Sequence, residues 1–329
     1  MTLYLPQKKI VIASSFEGVV NNGAKECGVV SLAAYRKMVK EGQIKDSDAL
    51  LKHSESKIMS TFLALRPLVA VAEDYLTVLQ MIGRLYPYQT VRLIEGRDLK
   101  IVKFVGEMFE DFKSQTAKER ALFKTEFYAE RKNRQESNYK AWLNLQEPFS
   151  ETIGQFRLLN ELKTFDEKTV AQTGGFKLYY VTSKDEASTY QLCTVYGEFG
   201  RFQPGEVSDS IFTPGENYAA LFESMKTCLI RRDCIIGKET VENVDKLVQM
   251  KMVAEKENVT PADVWRLQDR YDKGEFETLK AAGFVHQFVV TGGYAFPTDY
   301  AKAREDGIVV VERGLLAQSL SGYARENGF

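Results

Sequence analysis

Ser15 and Glu17 place a hydroxyl and a carboxyl two residues apart at the end of an apolar run, and Gly18 follows directly. The stretch Lys9–Val20 reads KIVIASSFEGVV, with Ile10, Val11, Ile12 and Ala13 as a buried strand and Gly18 as a tight turn. In α/β proteins the carboxyl ends of the strands carry the chemistry. Glu17 can exchange a proton with a bound group. Ser15 is uncharged, and no histidine stands near it in sequence to activate it as a nucleophile. Three later strand-like segments also run into polar groups. Lys177–Thr182 (KLYYVT) leads into Ser183-Lys184, Val264–Leu267 into Gln268-Asp269, and Phe288–Val290 into Thr291-Gly292-Gly293-Tyr294.

The elements around these ends have three textures. Residues 1–22 are strand-like, 23–165 helical, and 166–329 alternate strands and helices, the pattern of a parallel sheet with crossover helices. Ser54–Leu85 repeats apolar residues at three- and four-residue steps (Ile58, Phe62, Leu65, Val69, Ala72, Leu76, Leu79, Ile82), with Pro67 as a boundary or kink. Leu99–Leu145 is more charged and predicts one or two amphipathic helices, with Glu130–Arg134 (ERKNR) a solvated face. Leu192–Tyr196 fits a short strand, or part of a helix that starts after Ser183. Glu239–Asn258 is a helix, Phe276–Ala282 a helix closed by Gly283, Gly307–Val311 the last strand and Leu315–Tyr323 the last helix. The glycine- and proline-rich stretch Gly197–Gly215 reads as a loop beside the site, without the spacing of a phosphate-binding P-loop.

The order of these segments resembles the core of the haloacid dehalogenase-like (HAD-like) phosphohydrolase superfamily. Its first motif is an apolar strand followed by Asp-x-Asp-Gly-Thr/Val. On that resemblance Ser15 stands at the nucleophilic aspartate, Glu17 at the acid/base aspartate, and Gly18 at the motif glycine. Thr182 takes the phosphoryl-binding hydroxyl position of the second motif, with Ser183 beside it. Lys246 and Lys238 are both candidates for the lysine of the third. Asp269 matches the metal-binding acid of the fourth; counting back from Ala281-Ala282-Gly283, Glu275 matches the second acid, with a two-residue insertion between them. Gln268 replaces the usual glycine, and VVTGGY followed by EDGIVVV and LLAQSL resembles the end of phosphoglycolate-phosphatase-like members. The resemblance implies a doubly wound, mainly parallel α/β core from residues 1–22 and 166–329. It also implies a large α-helical cap, residues 23–165, inserted after the first strand.

Composition narrows the function classes. The chain has 329 residues, 44% of them hydrophobic and 27% charged, so two domains or one with a large insertion are expected. A formal net charge of −1 gives no electrostatic case for nucleic acid or an anionic membrane as partner. The longest apolar runs, as at Leu65–Ala72, are far shorter than the roughly 18–20 residues of a membrane span. MTLYLPQKK lacks the apolar core of a signal peptide. Cys27, Cys193, Cys228 and Cys234 show no paired spacing and fit free thiols in a reducing, cytoplasmic compartment. His53 and His286 are too isolated for a zinc site, and His286 reads as a packed loop residue.

Family chemistry needs a carboxylate nucleophile, Mg²⁺ held by oxygen ligands, and a second acid for the leaving group. Ser15 supplies neither a charged nucleophile nor a charged ligand. Glu17 carries an extra methylene, and misplacing a catalytic group by about 1 Å can cost ~10²-fold. The reading is therefore a HAD-like protein with a degenerate site, in which Asp269 and Glu275 could hold Mg²⁺ and its binding is weak or absent. It would bind a small phosphorylated or anionic ligand, or a protein partner through the cap. The alternatives are an active phosphatase with an altered mechanism and an assembly subunit that uses its charged helices.

Overall fold

A computed structural model describes residues 3–85, 99–165, 172–198, 230–241 and 245–329. The chain opens with β1 (Lys9–Ser14) and β2 (Asn21–Asn22). The helices α1 (Ala24–Lys40), α2 (Glu55–Leu65), α3 (Asp74–Ile82), α4 (Leu99–Gln115), α5 (Ala117–Ser137) and α6 (Tyr139–Leu143) follow. Then come β3 (Glu147–Pro148), α7 (Ser150–Glu161), β4 (Lys163–Phe165), β5 (Gln172–Val181), α8 (Glu186–Glu198) and β6 (Ile235–Ile236). The chain ends with α9 (Lys246–Glu257), β7 (Val264–Gln268), α10 (Lys273–Ala281), β8 (Gln287–Val290), α11 (Pro297–Glu305), β9 (Val309–Val311) and α12 (Leu316–Glu326).

Two compact units result. The first holds residues 1–22, 148–295 and 299–329. Its sheet runs β4-β5-β1-β7-β8-β9, with β6 also paired to β5. Pairing is parallel except at β4–β5. Both faces are covered, as parallel strands require. Successive residues on β7 show it: Trp265 meets Tyr323 of α12 at 5.3 Å between ring centroids, while Arg266 turns the other way and pairs with Glu275 of α10. This is a doubly wound α/β core. His286 packs as a loop residue against Trp265, Tyr323 and Phe329, and burial pushes its pKa down.

The second unit, residues 23–147 with 296–298, is helical among its described residues. Its core is built from the apolar faces read above: Ile58, Phe62, Leu65, Leu76, Leu79 and Ile82 are buried together with Phe123 and Phe127. Phe62 and Phe127 both stack with Tyr75, at 5.5 and 5.3 Å between ring centroids. Helix α2 ends before Pro67, which opens a 3₁₀ turn at Arg66–Leu68. No described helix is long and apolar enough to cross a membrane.

Five readings shift. Arg131, in the Glu130–Arg134 stretch read as a solvated face, is buried and pairs with Glu26. The second unit ends at Glu147, not at 165, because α7 packs on β5 and α12 of the first. Leu192–Tyr196 belongs to α8, the helical alternative. Helix α9 begins at Lys246, where the Asp245 carboxylate accepts the Val248 N–H at 3.1 Å as an N-cap, later than the expected start at Glu239. The short antiparallel β4 lies in a segment read as helical. The Gly197–Gly215 loop, apart from its first two residues, and Cys228 lie outside the described residues. Cys27, Cys193 and Cys234 are buried and form no disulfide among the described residues.

Candidate functional site

Parallel register sets the site. Ser14 pairs with Tyr180 of β5 on one side and with Leu267 of β7 on the other. The segments after β1, β5 and β7 therefore leave the same sheet edge side by side, bringing residues 15–18, 182–184 and 269 together. The Ser15 N–H donates to the Leu267 carbonyl at 2.8 Å, extending the pairing one step past the strand.

Gly18 and Asp269 meet next. Gly18 has φ +79°, and a Cβ placed there would lie 2.1 Å from Asp269 Oδ2. Asp269 is buried, and its Oδ2 accepts the Tyr294 N–H at 2.9 Å. Gly293 allows the same closeness from the other direction: a Cβ there would sit 2.5 Å from the Gly18 carbonyl. Arg313 locks the turn from behind. It donates to the carbonyls of Gly18 (2.9 Å), Val19 (2.7 Å) and Thr291 (3.3 Å), and lies 3.4 Å over the Phe149 ring. Nothing in the sequence marks this arginine, which lies almost 300 positions from Gly18 and Val19; the Gly-Gly-Tyr after β8 is visible as a motif.

Glu17 is held by a lysine that the motif reading passes over. Lys184, with a side chain 2% exposed, places Nζ 3.0 Å from Glu17 Oε1. Asn21 Nδ2 donates to the same oxygen at 3.1 Å, and the Tyr294 hydroxyl donates to Oε2 at 3.3 Å. The signal for Lys184 is its place two residues after Thr182 at a strand end, where β5 turns toward the site.

Thr182 is buried, and its Oγ1 accepts the Lys184 N–H at 3.1 Å. Its carbonyl accepts from Gln249 Nε2 at 3.1 Å, which ties the strand end to α9. Ser183 is exposed. Lys246, in the first turn of α9, donates to the Val181 carbonyl at 3.1 Å and to Gln249 Oε1 at 3.0 Å. Burial and then the neighbouring Arg266 pull its pKa down to about 8, against the fields of Glu275 and Asp269. The two lysine candidates lie in different surroundings. Lys246 reaches the end of β5, whereas Lys238 acts electrostatically on Asp185, a residue that caps the start of α8 through a 2.7 Å bond to the Ser188 N–H.

Glu275 differs most from its expected role. Its carboxylate is held by Arg266, which also donates to Gln268. Mg²⁺ favours several oxygen ligands at near-octahedral geometry. Here Glu17 is taken by an ammonium and Glu275 by a guanidinium, leaving Asp269 and the Ser15 hydroxyl. No group of three or more His, Cys, Asp or Glu side chains that could hold a metal ion occurs among the described residues. Of the two acids that the resemblance assigns to the metal, Glu275 is therefore committed to a cation of the chain, and Asp269 remains.

No protein-family model matches the sequence, and no curated protein matches it as a relative. Solved structures similar to the chain include a haloacid dehalogenase-like family hydrolase from Streptococcus pneumoniae, 12% identical over 94% of this chain and 98% of that one, with a TM-score of 0.45. Another is a predicted phosphoglycolate phosphatase from Haemophilus somnus, 11% identical over 95% of this chain and 98% of that one, with a TM-score of 0.46. No residue role transfers from either at this distance.

Proposed function

We propose that the carboxyl edge of this sheet is an oxyanion pocket of a HAD-like protein that does not carry out carboxylate-based phosphoryl transfer. One observation carries the reading. Beside Asp269, Thr182 and Lys246, position 15 offers a neutral hydroxyl, and the neighbouring Glu17 is tied to Lys184. A hydroxyl without an adjacent base is a poor nucleophile. Binding needs less. An ammonium has three donors, and Lys246 spends two on Val181 and Gln249, which leaves one for a ligand oxygen. The ligand class this suits is a small phosphorylated or otherwise anionic molecule.

Sulfate is a suitable probe because its charge is constant across neutral pH. Lys246 is protonated below about 8. A bound anion favours the charged ammonium, so affinity is full below that pKa and falls as pH rises through and above it. Calorimetric titration at a series of pH values should show this fall. Lys246→Met should weaken sulfate by roughly 10- to 100-fold, the equivalent of one charge-assisted hydrogen bond worth about 1.5–3 kcal/mol, and should flatten the pH profile. Equal affinity in the variant and the parent would remove Lys246 from the site.

A further inference from the structure

We infer that this pocket neutralises its own acids and takes its anion without a divalent cation, an inference that rests on the oxyanion reading above. Two of the acids that the family resemblance offers for cation or proton chemistry are already paired with cations from the chain. Lys184 sits on Glu17, and Arg266 sits on Glu275. Neither cation is a solvated surface group: the Lys184 and Arg266 side chains are each 2% exposed. Breaking either pair would leave its buried cation uncompensated, so a weakly held ion would not displace them.

Each of the three acids faces a cation of the chain: Glu17 meets Lys184 and Glu275 meets Arg266 by contact, and Asp269 lies in the fields of Lys246 and Arg313. A carboxylate at position 15 would leave an excess negative charge for a metal to offset; Ser15 removes it. Arg266 is fully buried, and its Nε and Nη1 have no hydrogen-bond partner among the described residues.

Two measurements on the unmodified chain test this. Mn²⁺, a paramagnetic substitute for Mg²⁺, is titrated with protein and followed by its free-ion resonance signal, with and without inorganic phosphate. The free signal should stay unchanged at protein in excess over Mn²⁺. In parallel, the melting temperature is followed as phosphate is added in EDTA and in Mg²⁺. The rise should be the same in both. Stoichiometric Mn²⁺ uptake that Asp269→Asn abolishes would overturn the inference. So would a phosphate-induced rise seen only with Mg²⁺, which would leave the oxyanion reading standing. No rise under either condition, with phosphate or with sulfate, would overturn the oxyanion reading and this inference with it.

Discussion

Arg131→Met should destabilise the helical unit by about 3–5 kcal/mol, the cost of leaving a buried carboxylate unpaired. Glu26 is fully buried on α1, and Arg131 of α5 holds it with two parallel bonds, Nε to Oε1 and Nη2 to Oε2, each 2.7 Å. Trp142 Nε1 donates to Oε1 at 3.2 Å. The guanidinium also lies 4.7 Å from the Phe127 ring, so the variant loses a cation–π contact as well. Methionine roughly keeps the volume, which isolates the charge effect from a cavity effect. The check is urea unfolding with peptide-resolved hydrogen exchange, and the loss of protection should concentrate in α1 and α5. A second variant separates charge from packing. Glu26→Met with Arg131→Met removes both charges, and it should recover much of the loss because an apolar pair of similar volume replaces the buried ions. A single variant as stable as the parent would mean that the pair does not hold these helices together.

Gly18→Ala should cost about 2–5 kcal/mol, from two sources that can be told apart. Gly18 has φ +79°, a conformation that strains any residue with a Cβ. The added carbon would also overlap Asp269, lying 2.1 Å from Oδ2 and 2.2 Å from Cγ. Asp269 cannot swing away without losing its bond from the Tyr294 N–H. Adding Asp269→Gly should relieve the overlap and leave the backbone strain. Thermal unfolding of the single and double variants reads the difference. If the double variant is no more stable than Gly18→Ala alone, the close approach of these two residues is not what limits the site.

Most of the sheet could be read from the sequence because its strands carry local signals. Ile10–Ala13, Val264–Leu267 and Phe288–Val290 are apolar runs bounded by polar turns, and each falls within a strand. What the pattern missed depended on partners distant in the chain. Lys163–Phe165 is a strand only because β5 lies beside it, and Ile235–Ile236 is too short to show a period. The boundary at Glu147 was hidden for a similar reason: α7 looks like one more helix of the helical region, and only its packing on β5 assigns it to the sheet unit.

The site divides along the same line. Ser15, Thr182 and Asp269 follow strand ends, so register brings them together, and that was legible. The partners of the charged groups were not. Glu17 meets Lys184 across 167 positions, and the turn after β1 meets Arg313 across nearly 300. Charge pairing at that range leaves no periodicity to read. Its effect is to change the meaning of two acids: Glu17 and Glu275 are present at the expected positions, but each is committed to a cation of the chain.

The claim that this pocket has left carboxylate-based phosphoryl transfer is tested most directly by one assay. The purified chain is incubated with Mg²⁺ and a panel of small phosphate monoesters, and phosphate release is compared with that of Asp269→Ala. No release above that of the variant is expected for any ester. Turnover by the parent chain that disappears in Asp269→Ala would contradict it.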